Sequence, residues 1–392
     1  MPVMNLKHLF FITFAVILIH ACKSSDNSLY EFDPRTLEEN EITLSEIADE
    51  VTYIPLDNKY QLGEIFTIIF INNAIYLNSK NIGILTFDRQ GKLISKIGNI
   101  GRGPGEYVIY LSFCVDDKSG RVYVADIKDV IKVFSRTGQL IRSFPLKEYG
   151  DVIENIGFYN SKLFVPYGIQ FKNANYEWIF CDTLGNVIKK QDRHLPIFTT
   201  NWGGSEPIYM FENQLSYCNT FTDTVFSILP DLSEKPSIII TPGEHRRPRS
   251  NLSLEQFMSK KYLDLDNIFE TSRFLVIRYL YKKPTLVLID KHKQKSFLIY
   301  PEYDETTRDF LSGIVNDLDG GSWFLPESYF KERGREYMVG LINPFQIKAY
   351  VTSSEFKKST PKYPEKKKGF EKLANSLNDT DNPVLMMVRL KK

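Results

Sequence analysis

From about residue 50 onward the chain alternates apolar and polar residues in short runs, separated by clusters of Gly, Asp, Asn and Ser. That pattern predicts half-buried β-strands joined by tight turns. The runs repeat. Ile75-Tyr76-Leu77 with Ile84-Leu85-Thr86-Phe87-Asp88 is matched 47 residues later by Val122-Tyr123-Val124 with Ile131-Lys132-Val133-Phe134-Ser135. A weaker third copy holds Leu163-Phe164-Val165 and Trp178-Ile179-Phe180-Cys181-Asp182. Each copy ends in an Asp/Ser-x-x-Gly turn, so Gly91, Gly138 and Gly185 fall at the same 47-residue interval. Glycine there supplies a positive φ at little steric cost.

A period of about 40–50 residues with several strands per unit is the mark of a β-propeller blade. Later copies decay. Leu215-Ser216-Tyr217 with Thr224 to Ile228 reads as a fourth blade, and Phe274 to Ile277 with Leu286 to Asp290 as a fifth. Gly313-Ile314-Val315, a turn at Asn316 to Gly321, and Trp323 to Pro326 read as the start of a sixth. Two inserts break the strand pattern: a short helix within Ser253–Leu263, and a charged helical insert near 365–378 that Asn382-Pro383 stops. The last run, Val384 to Leu390, is expected to pair with Val51 to Leu56 in one blade and so close the ring. The domain plan is a leader at 1–21, a tether and lead-in at 22–49, and a single all-β propeller at 50–392.

The leader changes the picture. Leu9 to Ala21 is almost wholly apolar, follows Lys7, and is shorter than the ~20 residues a spanning helix needs. Ile19-His20-Ala21-Cys22 resembles a bacterial lipobox, with His20 departing from the pattern. The expectation is cleavage before Cys22, lipid on Cys22, and attachment to the outer membrane, facing the periplasm or the surface. A plain secretory signal and an uncleaved anchor are the rivals.

Charge adds an exclusion. The chain has 49 Lys and Arg against 48 Asp and Glu, and Lys7 leaves with the leader. A balanced mature chain gives no electrostatic reason to expect nucleic acid as a partner. Cys114, Cys181 and Cys218 show no zinc spacing. They read as buried thiols, with a Cys181–Cys218 disulfide as the alternative.

Gly101-Arg102-Gly103-Pro104-Gly105-Glu106-Tyr107, Phe87-Asp88-x-x-Gly91-Lys92, Asn316-Asp317-x-Asp319-Gly320-Gly321 and Asn382-Pro383-Val384-Leu385 carry a family likeness. Together they resemble the six-bladed, NHL-like propeller lipoproteins of Bacteroidota, over about residues 50–392. The resemblance implies six blades, although the strand count alone tolerates seven. It implies no particular activity.

The candidate chemistry is sparse. Arg102, Glu106 and Tyr107 sit in a glycine-rich turn that could face an anionic ligand. The structural alternative is an inter-blade turn with Arg102 paired to Glu106. Asp317 and Asp319 lie in a polar turn that lacks the further ligands and closing glutamate of a calcium loop. His245-Arg246-Arg247-Pro248-Arg249 is a basic cluster suited to an acidic glycan or to solvent. Tyr279-Leu280-Tyr281 and Trp202 could stack on sugars or pack blades. After the leader, His194, His245 and His292 remain, far apart in sequence. No nucleophile elbow and no HExxH helix occurs. No cofactor and no metal is expected. The leading reading is a tethered binding protein for a glycan, peptide or protein ligand. The alternative is an extracytoplasmic hydrolase or lyase with its site at the mouth of the propeller channel. An assembly role, marked by a large exposed apolar patch, is the third.

Overall fold

The computed structural model describes residues 30–392, apart from 38–39, 109–111, 151–152, 154, 169–174, 202–206, 220, 260 and 308. Two short strands come first, β1 (Tyr30–Phe32) and β2 (Ala48–Pro55), with helix α1 (Leu44–Ile47) between them. Blade one is β3 (Ile65–Ile71), β4 (Ala74–Ser79), β5 (Gly83–Asp88) and β6 (Leu93–Ile97). Blade two is β7 (Ser112–Val115), β8 (Val122–Asp126), β9 (Val130–Phe134) and β10 (Leu140–Pro145). Blade three is β11 (Gly157–Tyr159), β12 (Lys162–Pro166), β13 (Tyr176–Cys181) and β14 (Val187–Asp192). Blade four is β15 (Ile208–Phe211), β16 (Gln214–Asn219), β17 (Thr224–Ile228) and β18 (Glu234–Ile240). Helix α2 (Leu254–Met258) leads to blade five: β19 (Asp264–Glu270), β20 (Phe274–Tyr281), β21 (Lys283–Asp290) and β22 (Lys295–Ile299).

Blade six is composite. It takes β23 (Ser328–Glu332), β24 (Arg335–Ile342) and β25 (Val384–Leu390) from the end of the chain and β2 from its start. β2 pairs antiparallel with β25 from Ala48↔Leu390 to Pro55↔Val384, which closes the ring at six blades. The count of seven is thereby excluded. The stretch Gly313–Pro326 is not a blade strand. Ile314 and Phe324 bridge in an isolated pair, and the inner strand of blade six begins at Ser328. The reason is local: Thr43 bridges Val315 and Leu44 N–H bonds to the Val315 carbonyl, so this apolar stretch serves the lead-in instead of a blade.

The described residues between 30 and 49 pack into the fold. β1 runs parallel to β18 as a fifth strand on the rim of blade four, and Phe32, Leu44 and Ile47 are buried. Cys22 and the rest of the leader and tether lie outside the described residues, as do Trp202, Gly203 and Gly204. Helices α3 (Pro344–Thr352), α4 (Ser354–Lys358) and α5 (Pro364–Ser376) fill the connection from β24 to β25. Their apolar residues Ile347, Phe356 and Phe370 pack on Ile342 and Val384. Among the described residues no helix is long and apolar enough to cross a membrane.

The repeated glycines act between blades. Each stands in the turn from third to fourth strand with φ of +82°, +86° and +98° at Gly91, Gly138 and Gly185. A Cβ on Gly91 would meet the Pro55 carbonyl oxygen at 2.1 Å, and one on Gly138 would meet the Lys96 carbonyl oxygen at 2.0 Å. On Gly185 it would meet the Phe144 ring at 2.5 Å. Each turn is therefore pressed against the outer strand of the preceding blade, where no side chain fits. Asp88 and Asp182 hold their turns by accepting backbone N–H bonds, and Ser135 does the same in blade two.

Cys114, Cys181 and Cys218 are buried and no disulfide joins them, so the Cys181–Cys218 bridge is not formed. Burial raises the Cys114 thiol well above its usual range and the Cys181 thiol to about 12. Neutral buried thiols behave as small apolar residues.

Candidate functional site

A cleft of about 1620 Å³ opens on the face where the inner strands begin. Its walls come from the start of β3 in blade one, from β19 and the β20–β21 corner in blade five, and from the connections into and out of β23 and β24 in blade six. α2 adds Phe257 from the link between blades four and five.

Four aromatic rings at the cleft are substantially exposed: Phe66 at 53%, Phe345 at 43%, Phe257 at 37% and Tyr303 at 37%. Rings of this size are normally covered, and four around one opening form an apolar rim. The same lining carries polar groups. Arg278, nearly buried, lies between Asp266 and Glu327, with 2.7 Å to the Glu327 carboxylate. Burial alone would lower its pKa, but the two carboxylates overcome this and hold it above its normal range. Its guanidinium also lies 5.5 Å from the Phe310 ring centre. Arg247 pairs with Asp264 at 2.7 Å, and burial raises that carboxyl despite the arginine. Lys283 sits over the Tyr300 ring at 3.1 Å. Asn343 donates to Asp309 at 3.0 Å, and Gln346 donates to the Phe310 carbonyl at 2.7 Å. Carboxylates and amides beside exposed rings can offer both hydrogen bonds and apolar contact to a molecule in the cleft.

The model of a domain of unknown function, DUF4934, matches residues 29–389. The chain belongs to the DUF4934 family. No curated protein matches it. Among solved structures, this DUF4934 chain is similar to BF0058 of Bacteroides fragilis NCTC 9343, a protein named for its inferred export. The identity is 17%, with 93% of this chain and 100% of that one covered and a TM-score of 0.64, a likeness of fold. A duf4221 family member from Bacteroides vulgatus matches at 13% identity and TM-score 0.49, over 91% of this chain and 100% of that one.

The residues singled out from the sequence lie elsewhere. None of Arg102, Glu106, Tyr107, Asp317 and Asp319 lines the cleft. Tyr107 is fully buried, donates to the Ile97 carbonyl at 2.9 Å and accepts from Ile84 N–H at 3.1 Å. Glu106 accepts from Gly103 N–H at 2.7 Å and curls over Gly101, where a Cβ would fall 2.1 Å from its carboxylate. The turn's own backbone, and not Arg102, thus holds that carboxylate. Asp317 accepts from Ser45 N–H at 2.7 Å and from the Thr43 and Ser45 hydroxyls, fixing the start of α1. Asp319 accepts from Asn316, Tyr53 and Gly321. Of the basic cluster, Arg247 reaches the cleft, while Arg246 pairs with Asp223 and Arg249 donates to the Phe221 carbonyl. Tyr279 lines the cleft but is 5% exposed, and Tyr281 packs on His245. The four exposed rings stand far apart in the sequence, in β3, α2, the segment after β22 and α3, so no local pattern sets them apart.

Proposed function

We propose that this chain is a lipid-anchored binding protein outside the cytoplasm that takes an oligosaccharide in the cleft of blades five, six and one. One observation carries the reading: exposed rings at Phe66, Phe257, Tyr303 and Phe345 share one lining with carboxylates and amides. Sugar rings present C–H faces that pack on aromatics and hydroxyls that bond to carboxylates and amides. The address rests on the Ile19-His20-Ala21-Cys22 pattern after an apolar leader.

Calorimetry on the mature chain, guided by a glycan array, tests the ligand. The expected result is saturable binding of at least one oligosaccharide, weakened tenfold or more in a Phe66→Ala/Phe345→Ala double variant. Binding that is indifferent to those rings, or confined to peptides, overturns it. Mass spectrometry of the sugar after incubation checks for cleavage, and a shortened product puts the hydrolase or lyase reading first. The anchor is tested by Cys22→Ser, which should shift the protein from the membrane to the soluble fraction.

A further inference from the structure

A second cluster lies on the seam between blades three and four, away from the cleft. Its members are Glu177 and Trp178 of β13, His194 just after β14, Tyr217 of β16 and Glu234 of β18. Glu177 holds His194 twice. It accepts the His194 backbone N–H at 2.9 Å and faces the Nδ1 atom at 2.6 Å. Phe226 stacks on the imidazole, with ring centres 5.5 Å apart and an interplanar angle of 12°. The ring is thus fixed with Nδ1–H turned to a carboxylate and Nε2 turned away from it. That is the arrangement by which a carboxylate orients a metal-binding histidine.

Glu234 is held just as firmly through one oxygen. Its Oε2 accepts from Trp178 Nε1 at 2.7 Å and from the Tyr217 hydroxyl. The other oxygen, Oε1, is buried and receives no aligned hydrogen bond, although the side chain is only 7% exposed. A buried carboxylate oxygen without an aligned hydrogen bond is costly, and a cation beside it, an imidazolium or a metal ion, offsets that cost. His194 Nε2 lies 3.1 Å from Oε1. Two ligands bonded to one ion at about 2.1 Å, at angles between square and tetrahedral, stand roughly 3.0–3.4 Å apart. The imidazole is 42% exposed, which leaves room for further ligands from solvent.

We propose that His194 Nε2 and Glu234 Oε1 form an open site for a divalent transition ion of the zinc class, joining blade three to blade four. Glu177, Trp178 and Tyr217 are positioning residues that hold the two ligands. Nitrogen and carboxylate oxygen suit such an ion, whereas calcium and magnesium take oxygen ligands. With two protein ligands the affinity is modest and the remaining positions are water or a bound molecule. The proposal stands independently of the oligosaccharide reading, because none of these residues lines the cleft.

The test uses the mature chain, freed of metal by chelation and titrated calorimetrically with zinc chloride at about pH 8, where a free imidazole is neutral. One zinc per chain should bind. Glu234→Gln and His194→Asn should each weaken binding tenfold or more, and Glu177→Gln should do so by roughly 10–100-fold through loss of orientation. His292→Asn should leave it unchanged. Zinc should also raise the wild-type melting temperature by about 2 °C at tenfold excess over Kd, and not that of Glu234→Gln. If a variant fails to fold, zinc-soaked wild-type crystals decide. An anomalous peak within roughly 2.2 Å of both Nε2 and Oε1 supports the site. No peak there, or calorimetric binding unaltered by the Glu234 and His194 changes, overturns it.

Discussion

Blades one to three and blades four to six are built on one plan but to different tolerances. In the first half the turn from third to fourth strand ends in glycine every 47 residues, and each glycine is pressed against the blade before it. In blades four and five the corresponding turns have Leu232 and Gln294 at positive φ, +63° and +52°. The second half also carries α2 and the long helical connection from β24 to β25. The cleft draws most of its lining from this second half, with a border from blade one. The difference teaches where the constraint lies. Close seams in the first half leave little room for insertions, while the second half carries longer connections that wall the cleft.

The strongest way to break the contrast is to open the ring. Deleting 384–392 removes β25 from between β2 and β24. The expected outcome is loss of the cooperative unfolding transition in circular dichroism; an intact transition would show that closure does not hold the ring.

Next comes the seam. Gly138→Ala places a Cβ against the Lys96 carbonyl and should destabilise by about 3 kcal/mol in denaturant titration. Gly334→Ala isolates the backbone contribution, since its φ is +72° but no heavy atom lies within 4 Å of the added Cβ. It should cost only about 1 kcal/mol. Equal losses at the two glycines would mean that φ alone, not the seam, explains the repeat.

Tyr107→Phe removes one donor and one acceptor from the core of blade one. A loss of about 2 kcal/mol is expected from the buried partners left behind. Smallest in stability is the double change Phe66→Ala/Phe345→Ala, below about 0.5 kcal/mol because both rings are exposed. Its effect should appear in oligosaccharide binding. A large drop in stability there would reassign the rim to packing.

The first half was the legible part of the sequence, since turn chemistry and strand alternation are local. Phe87-Asp88-x-x-Gly91 states its own conformation. The sixth blade was harder to read. Gly313–Val315 and Trp323–Pro326 flank a turn as the first strands of a blade would, but Thr43 and Leu44, which pair with Val315, lie far away in the chain. Glycine-rich and Asp-rich turns drew attention as possible sites, yet Tyr107, Asp317 and Asp319 turn their polar atoms inward to fix the backbone. The cleft had no local signature, because Phe66, Tyr303 and Phe345 meet only when blades one, five and six stand side by side. One clue at the seam was available. Glu177 lies in the apolar run Tyr176–Cys181, and a carboxylate in a buried strand must find a partner. The identity of that partner, His194, is a matter of the third dimension.

The joining of β2 to β25 bears on timing as well as on shape. Blades one to five are each complete in a single stretch of chain and can form from near neighbours. Blade six needs residues about 340 apart, as in the Arg389–Asp49 ion pair, so it carries the largest loop-closure cost and completes last. The cleft is bordered by that blade on one side and by the start of the ring on the other. The opening between blades five, six and one therefore takes its final shape only once β25 has joined β2 and fixed blade six beside blade one.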